Sequence, residues 1–157
     1  VLQWFQESLA GQDLRRFVHA LWHGDTGLVQ TTLTDILYAS ISYYDNAENY
    51  YHGFMTGLLR GAGLAVQSNH EEGLGRPDIL VEDGRNKRAL IIEIKPAKVY
   101  EELEKKAEQA LGQIEERKYA LGLGPQIRKV MKYGIAFWKK ECAVKVQEDL
   151  QENKFVQ

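Results

Sequence analysis

The sequence of 157 residues has one cysteine, three prolines and little excess of either charge. A single cysteine excludes an internal disulfide and a zinc site built from the cysteines of one chain. No apolar run approaches the roughly 20 residues that cross a membrane. A net charge of −2 argues against a protein that coats nucleic acid by bulk attraction. These absences leave a globular domain of ordinary composition, for which we expect a cytoplasmic location and no membrane partner.

The N-terminal part of the sequence shows apolar residues at helical spacing. Residues up to about 23 fit one or two helices that end at Gly24, and a second pattern predicts a helix that starts after Thr32 or Thr34 and includes Tyr44. We expect these helices to cap the core. The chain begins with Val rather than Met, so we expect it to be a piece of a longer protein.

The rest of the sequence alternates between helical patterns and short apolar strands. The predicted order is a helix at about 47–62, a strand at 64–67, a hairpin around an Asp-Gly turn at 83–84, a helix from 98 to 119, and strands at 130–138 and 142–146. Because the strand at 91–94 is apolar on both faces, helices should cover both sides of the sheet.

Charged residues within the most apolar strand indicate a candidate site. In the segment 89–95, Ala-Leu-Ile-Ile-Glu-Ile-Lys, strand alternation places Glu93 and Lys95 on one face. Charges are seldom buried unless they are paired or bind a metal. Asp78 follows a proline at the start of the preceding strand, and Glu48 falls on the packed side of its predicted helix.

Each of these pieces alone also has a structural explanation. A Pro-Asp step is common where a strand starts, and Glu-x-Lys can be a cross-strand ion pair. Glu48, Asp78 and Glu93, from one helix and two adjacent strands, can instead converge on one hard divalent cation. Without the cation the three carboxylates would repel one another, so at least one of them should have a raised pKa.

Four segments stand in the order of a nuclease signature. They are Glu48-Asn-Tyr-Tyr-His52-Gly-Phe54, Gly73-Leu-Gly-Arg-Pro-Asp78, Ile92-Glu93-Ile-Lys95 and Gln113-Ile-Glu-Glu-Arg-Lys-Tyr119. Together they resemble the PD-(D/E)xK nuclease superfamily, and within it the nuclease-like domain found behind AAA-type ATPase-like domains. The resemblance covers about residues 45–140.

The resemblance implies an α/β, restriction-endonuclease-like core. Such a core consists of a helix, a three-stranded antiparallel meander, a second helix and further strands. We therefore predict an N-terminal helical cap at 1–45, a nuclease-like core at 46–149 and a polar C-terminal tail at 150–157.

The resemblance also implies metal-dependent hydrolysis of phosphodiester bonds. Mg²⁺ is the implied cofactor, Mn²⁺ can substitute for it, and DNA is favoured over RNA. The implied metal ligands are Glu48, Asp78, Glu93 and the carbonyl of Ile94. Lys95 would act in catalysis with Asp78 and Glu93, by orienting or deprotonating the attacking water.

Further candidates surround this set. Gln113 lies at the edge of the apolar stripe of its helix, where its amide could reach the site in a catalytic role. Relatives with exonuclease activity carry a Tyr four residues later, a position that is Arg117 here. Asn69 and Arg76 lie on the loop that enters the site, and with His52 they are candidates for substrate contacts. The alternative for His52 is an interior side chain with its hydrogen bonds satisfied.

Two functions compete with the nuclease. A non-catalytic, nuclease-like interaction or regulatory module could serve an attached ATPase domain, which is the expected N-terminal partner, and the near-neutral charge favours this reading. The complete set of Glu48, Asp78, Glu93 and Lys95 argues against it. A purely structural dimer domain would expose an apolar patch on the N-terminal helices, and homo-oligomerisation stays open.

Overall fold

The structure, a computed structural model, describes residues 11–40, 48–69 and 75–151. Its main elements in chain order are α1 (Gly11–His23), α2 (Thr26–Ala39), α3 (Glu48–Gly61), β1 (Val66–Ser68), β2 (Ile79–Asp83), β3 (Arg88–Pro96), α4 (Leu103–Glu116), β4 (Lys129–Trp138) and β5 (Glu141–Leu150). Short 3₁₀ turns, Tyr100–Glu102 and Tyr119–Gly122, lie before and after α4. None of the helices in these ranges has the length and apolar character needed to cross a membrane.

The strands form one sheet in the order β1-β2-β3-β4-β5. The first three strands are an antiparallel meander, β4 is parallel to β3, and β5 is antiparallel to β4. A parallel pair requires a crossover connection, and α4 provides it. This order of elements is the one that the sequence patterns predict.

One face of the sheet packs against α1, α2 and α3. Leu90, Ile92 and Ile94 of β3 point to this face and join a large apolar cluster that also includes Phe17 of α1 and Leu33 of α2. Burial of side chains of this size contributes about 1.5–3 kcal/mol each relative to exposure. The N-terminal helices therefore share one core with the sheet.

The start of α2 corrects the sequence prediction. The helix begins at Thr26 rather than after Thr32 or Thr34, because the side chain of Asp25 accepts a hydrogen bond from the N–H of Leu28 at 3.1 Å. Aspartate is among the strongest N-terminal caps, and the apolar pattern does not reveal it. Tyr44, in the same predicted pattern, lies outside the described residues.

The opposite face of the sheet is covered by α4. The helix approaches β4 closely at Gly134, where an added Cβ would lie 2.5 Å from the backbone nitrogen of Leu111. A side chain there would overlap the helix, so glycine permits the contact. Gly134 pairs with Glu93 in the β3–β4 register. A close contact between α4 and the sheet therefore lies beside Glu93.

Candidate active site

Two carboxylates meet where β2 begins beside β3. The N–H of Asp78 donates to Oε1 of Glu93 at 2.9 Å, and the N–H of Ile94 donates to Oδ2 of Asp78 at 2.8 Å. Each carboxylate is thus held by a backbone N–H from the segment that carries the other, and hydrogen bonds to charged acceptors are strong. We call Asp78 and Glu93 the carboxylate pair.

Glu93 is the buried member of the carboxylate pair, with 3% of its surface exposed. Nε2 of Gln113, on α4, donates to its Oε2 at 2.8 Å. Burial raises the pKa of Glu93 and the charge of Asp78 raises it further, to about 7, while the Asp78 N–H and the cations Arg117 and Lys95 act in the opposite direction. The carboxylate form of Glu93 is therefore disfavoured in the metal-free protein.

The backbone of Ile94 adds an oxygen to this region. Its N–H bonds to Asp78, and the N–H and C=O of one strand residue point to the same neighbouring strand. Continuation of the β2–β3 register places Pro77 opposite Ile94, and proline has no N–H to donate. Because its N–H reaches Asp78, the carbonyl of Ile94 should face the same side of β3, and it is a candidate ligand.

Two cations border the carboxylate pair. Lys95 is half-buried and shares a strand face with Glu93. Arg117 directly follows α4, and its Nη1 donates to the hydroxyl of Tyr119 at 3.4 Å. Contact with Tyr119, together with the charges of Glu93 and Glu116, raises the pKa of Arg117. Sequence reasoning gave Arg117 no role, although its spacing of four from a site residue on a helix was a usable signal.

The three candidates for substrate contact have different surroundings. His52 is buried, and its Nε2 lies 2.5 Å from Oγ of Ser68. The N–H of Asn69 donates to the carbonyl of Asp78 at 3.0 Å, so Asn69 adjoins the carboxylate pair. Arg76 is exposed and lies two residues before Asp78. The substrate roles of all three stay predictions.

The fit to a metal ion rests on oxygen ligands. The helix α3 begins at Glu48, but the Glu48 side chain lies outside the described residues. Among the side chains that the structure does describe, no three His, Cys, Asp or Glu residues are grouped closely enough to hold a metal. Asp78 and Glu93 supply two carboxylates, whose repulsion a cation would relieve. This donor chemistry fits a hard divalent cation.

Comparison with family models matches residues 46–147 to the PD-(D/E)XK nuclease superfamily. The chain belongs to this superfamily, which indicates a nuclease-like function. Together with the five-stranded sheet and its helices, the match confirms the predicted restriction-endonuclease-like α/β fold. Comparisons with curated proteins and with solved structures give no match.

Proposed function

We propose that this domain is a metal-dependent nuclease that hydrolyses phosphodiester bonds in DNA, with RNA as the second candidate substrate. The observation that carries the proposal is the carboxylate pair, which reciprocal hydrogen bonds hold side by side. Two adjacent carboxylates, one of them buried, repel each other when both are charged and no cation is bound. Strongly perturbed groups of this kind are typical of functional sites.

The proposed cofactor is Mg²⁺, for which Mn²⁺ can substitute. Asp78, Glu93 and the carbonyl of Ile94 would hold it, and Glu48 is the proposed further ligand at the start of α3. When bound, the ion would lower the pKa of a water molecule and neutralise charge on the phosphoryl oxygens.

The remaining chemistry falls to Lys95 and Gln113. The ammonium of Lys95 lies on the face that carries Glu93, where it can orient the attacking water, and its amine form can accept a proton from that water. Its charge also offsets the charge that develops in the transition state. Gln113 is a positioning residue, because its amide fixes the orientation of the Glu93 carboxylate.

The proposal extends to substrate and partners. Arg76 and Asn69 would contact phosphates on the loop that leads into the site, and His52 would support that region through Ser68. The proposed covalent partner is an N-terminal ATPase-like domain. The division into cap, core and tail, the cytoplasmic location and homo-oligomerisation stay predictions.

The test is a cleavage assay on end-labelled single-stranded DNA, duplex DNA and RNA. The purified protein is assayed with Mg²⁺, with Mn²⁺ and with EDTA, beside Asp78→Ala and Lys95→Ala. Matched controls are Asp35→Ala and Lys105→Ala, which change exposed residues on α2 and α4.

We expect cleavage that requires metal, disappears in both site variants and persists in both controls. If folded wild-type protein cleaves none of the substrates in either metal, the nuclease proposal is wrong for this domain. The non-catalytic interaction module would then be the better account.

A further inference from the structure

A cleft opens beside the carboxylate pair. Its volume is about 390 Å³. Pro77 and Asn69, which adjoin Asp78, are among the residues that line it. Tyr119 also lines it, and the hydroxyl of Tyr119 accepts the hydrogen bond from Arg117. The cleft therefore lies next to the carboxylate pair, although Asp78 and Glu93 do not themselves line it.

The lining of the cleft combines apolar and polar groups. Leu80 and Leu123 belong to or pack on the apolar cluster between β3 and the turn after α4. Gln67 and Arg76 are exposed and contribute an amide and a guanidinium. Glu82 contributes a carboxylate, one oxygen of which accepts a hydrogen bond from the N–H of Gly124 at 3.4 Å. A nucleobase has the same two kinds of surface, apolar faces and hydrogen-bonding edges, and the phosphate attached to it suits an arginine.

The same chemistry distinguishes an unpaired nucleotide from a paired one. In a duplex, stacked neighbours cover the faces of each base and its partner occupies the pairing edge, so a base must leave the stack before a pocket can contact both. A net charge of −2 gives no strong bulk attraction to either polymer, so the distinction between them depends on the cleft.

We propose that this cleft binds an unpaired nucleotide next to the bond to be cleaved, so that the preferred substrate is single-stranded nucleic acid. The inference rests on the proposed nuclease function, which places a phosphodiester at the carboxylate pair. It adds the substrate class that the carboxylate pair alone does not specify.

The test measures binding, so that it does not depend on cleavage. Fluorescence anisotropy in Ca²⁺ compares a labelled single strand with a blunt duplex of the same sequence. Gly122→Leu adds a large side chain to the lining of the cleft, at a position where an added Cβ meets nothing within 4 Å. The matched control is Gly53→Leu on α3, across the sheet, where an added Cβ also meets nothing within 4 Å. Gln67→Glu is an isosteric second variant.

We expect wild type to prefer the single strand, and both cleft variants to weaken that binding about tenfold without changing duplex binding. Gly53→Leu should match wild type. Thermal unfolding verifies that each variant is folded. If Gly122→Leu does not fold, Gln67→Glu decides the result. Equal binding of the two substrates by wild type, or cleft variants that bind like wild type, would overturn the inference.

The two proposals fail in different ways. Cleft-dependent binding of single strands without any cleavage would contradict the nuclease and leave this inference standing. If the protein cleaves in a metal-dependent way but both cleft variants bind single strands as wild type does, the nuclease proposal stands and this inference is wrong.

Discussion

Two buried charges lie on the sheet face that α4 covers, and each is 3% exposed: Glu93 on β3 and Lys132 on β4. Lys132 contacts the carboxylates of Glu115 and Asp149, and we call these three residues the lysine cluster. Burial lowers the pKa of Lys132, but the hydrogen bonds and charges of its partners outweigh burial and raise it. Burial and the charge of Asp78 raise the pKa of Glu93 to about 7.

The two raised pKa values have opposite meanings. A raised pKa in a lysine means that its charged form is stabilised, whereas a raised pKa in a glutamate means that its charged form is destabilised. The lysine cluster therefore resembles a structural ion pair that joins α4 to β5. The charged form of Glu93 is instead destabilised in the folded protein, and a cation would compensate it, which is what we expect of a functional site.

Glu93→Gln should produce the largest effect, because it removes the destabilised charge and keeps the shape of the side chain. We expect cleavage to slow on the order of a thousandfold or more, since a metal ligand and a precisely placed charge are lost. In EDTA above the Glu93 pKa of about 7, urea unfolding should show a gain of on the order of 1–3 kcal/mol. If Glu93→Gln is inactive but less stable than wild type under these conditions, the claim that the Glu93 charge is destabilised in the folded protein is wrong.

The pH dependence of stability provides the control for that gain. Between the ordinary carboxyl pKa of 4.5 and the raised value of about 7, folded protein keeps a proton that the unfolded chain has released. The contribution of Glu93 to metal-free stability should therefore fall as pH rises through this window. Urea unfolding in EDTA should show a smaller decline in Glu93→Gln, and identical pH profiles would contradict the assignment.

Lys132→Met tests the other side of the comparison. It leaves Glu115 and Asp149 without their cation, but their side chains are 48% and 34% exposed, so water relieves part of the repulsion. We expect a loss of about 2–3 kcal/mol in unfolding free energy, below the value for a fully buried pair. Cleavage by the folded variant should stay near wild type.

The control for Lys132→Met is a surface pair. Lys145→Met removes the contact between Nζ and Oε2 of Glu104, 2.6 Å apart at the protein surface. Exposed pairs contribute about 0–1 kcal/mol, so little change in urea unfolding is expected. Equal losses of unfolding free energy in Lys132→Met and Lys145→Met would contradict the claim that the lysine cluster stabilises the fold more than a surface ion pair does.

Gly134→Ala should disturb both clusters at once. The added Cβ would overlap the backbone of α4, so the helix must move away from the sheet at a cost of about 1–3 kcal/mol. Cleavage should also fall, because Gln113 would leave Glu93. Gly112→Ala, on the open side of α4, is the matched control and should be neutral or stabilising by up to about 1 kcal/mol. Unchanged activity in Gly134→Ala would show that the position of α4 on the sheet does not affect the site.

Gln113→Ala should give the smallest loss of cleavage among the variants of the site, and Gln147 offers a matched amide beside the lysine cluster. Gln113 donates to Glu93 at 2.8 Å, and Gln147 donates to Asp149 at 3.1 Å. We expect Gln113→Ala to lower cleavage about tenfold through weaker positioning of Glu93, and Gln147→Ala to leave the rate unchanged. Equal rates in the two variants would show that Gln113 has no positioning role.

The sequence predicts well what local periodicity determines. Alternation along β3 places Glu93 and Lys95 on one face, and the helical stripe of α4 places Gln113 toward the sheet. The order of helices and strands follows from the order of the patterns, whereas the three-stranded meander is what the family resemblance implies. The structure brings Asp78, Glu93 and Gln113 together, while their chemical roles stay predictions.

The features of the fold and site that the sequence did not predict depend on contacts between distant segments or on a single N-cap residue. The sequence of β4 does not reveal the partners of Lys132. The β4–β5 register brings Asp149 close to it, and the crossing of α4 brings Glu115 close to it. The cleft likewise requires β1, β2 and the turn after α4 to be assembled. The start of α2 depends on the Asp25 side chain rather than on an apolar pattern.

The most direct test of the central claim is calorimetric titration of Mn²⁺ into metal-free protein without nucleic acid. The account predicts that wild type binds the ion, that Glu93→Gln loses this binding, and that Lys132→Met keeps it. Wild-type protein that binds no Mn²⁺, or a Glu93→Gln variant that binds it as wild type does, would contradict the claim that the carboxylate pair is a metal centre.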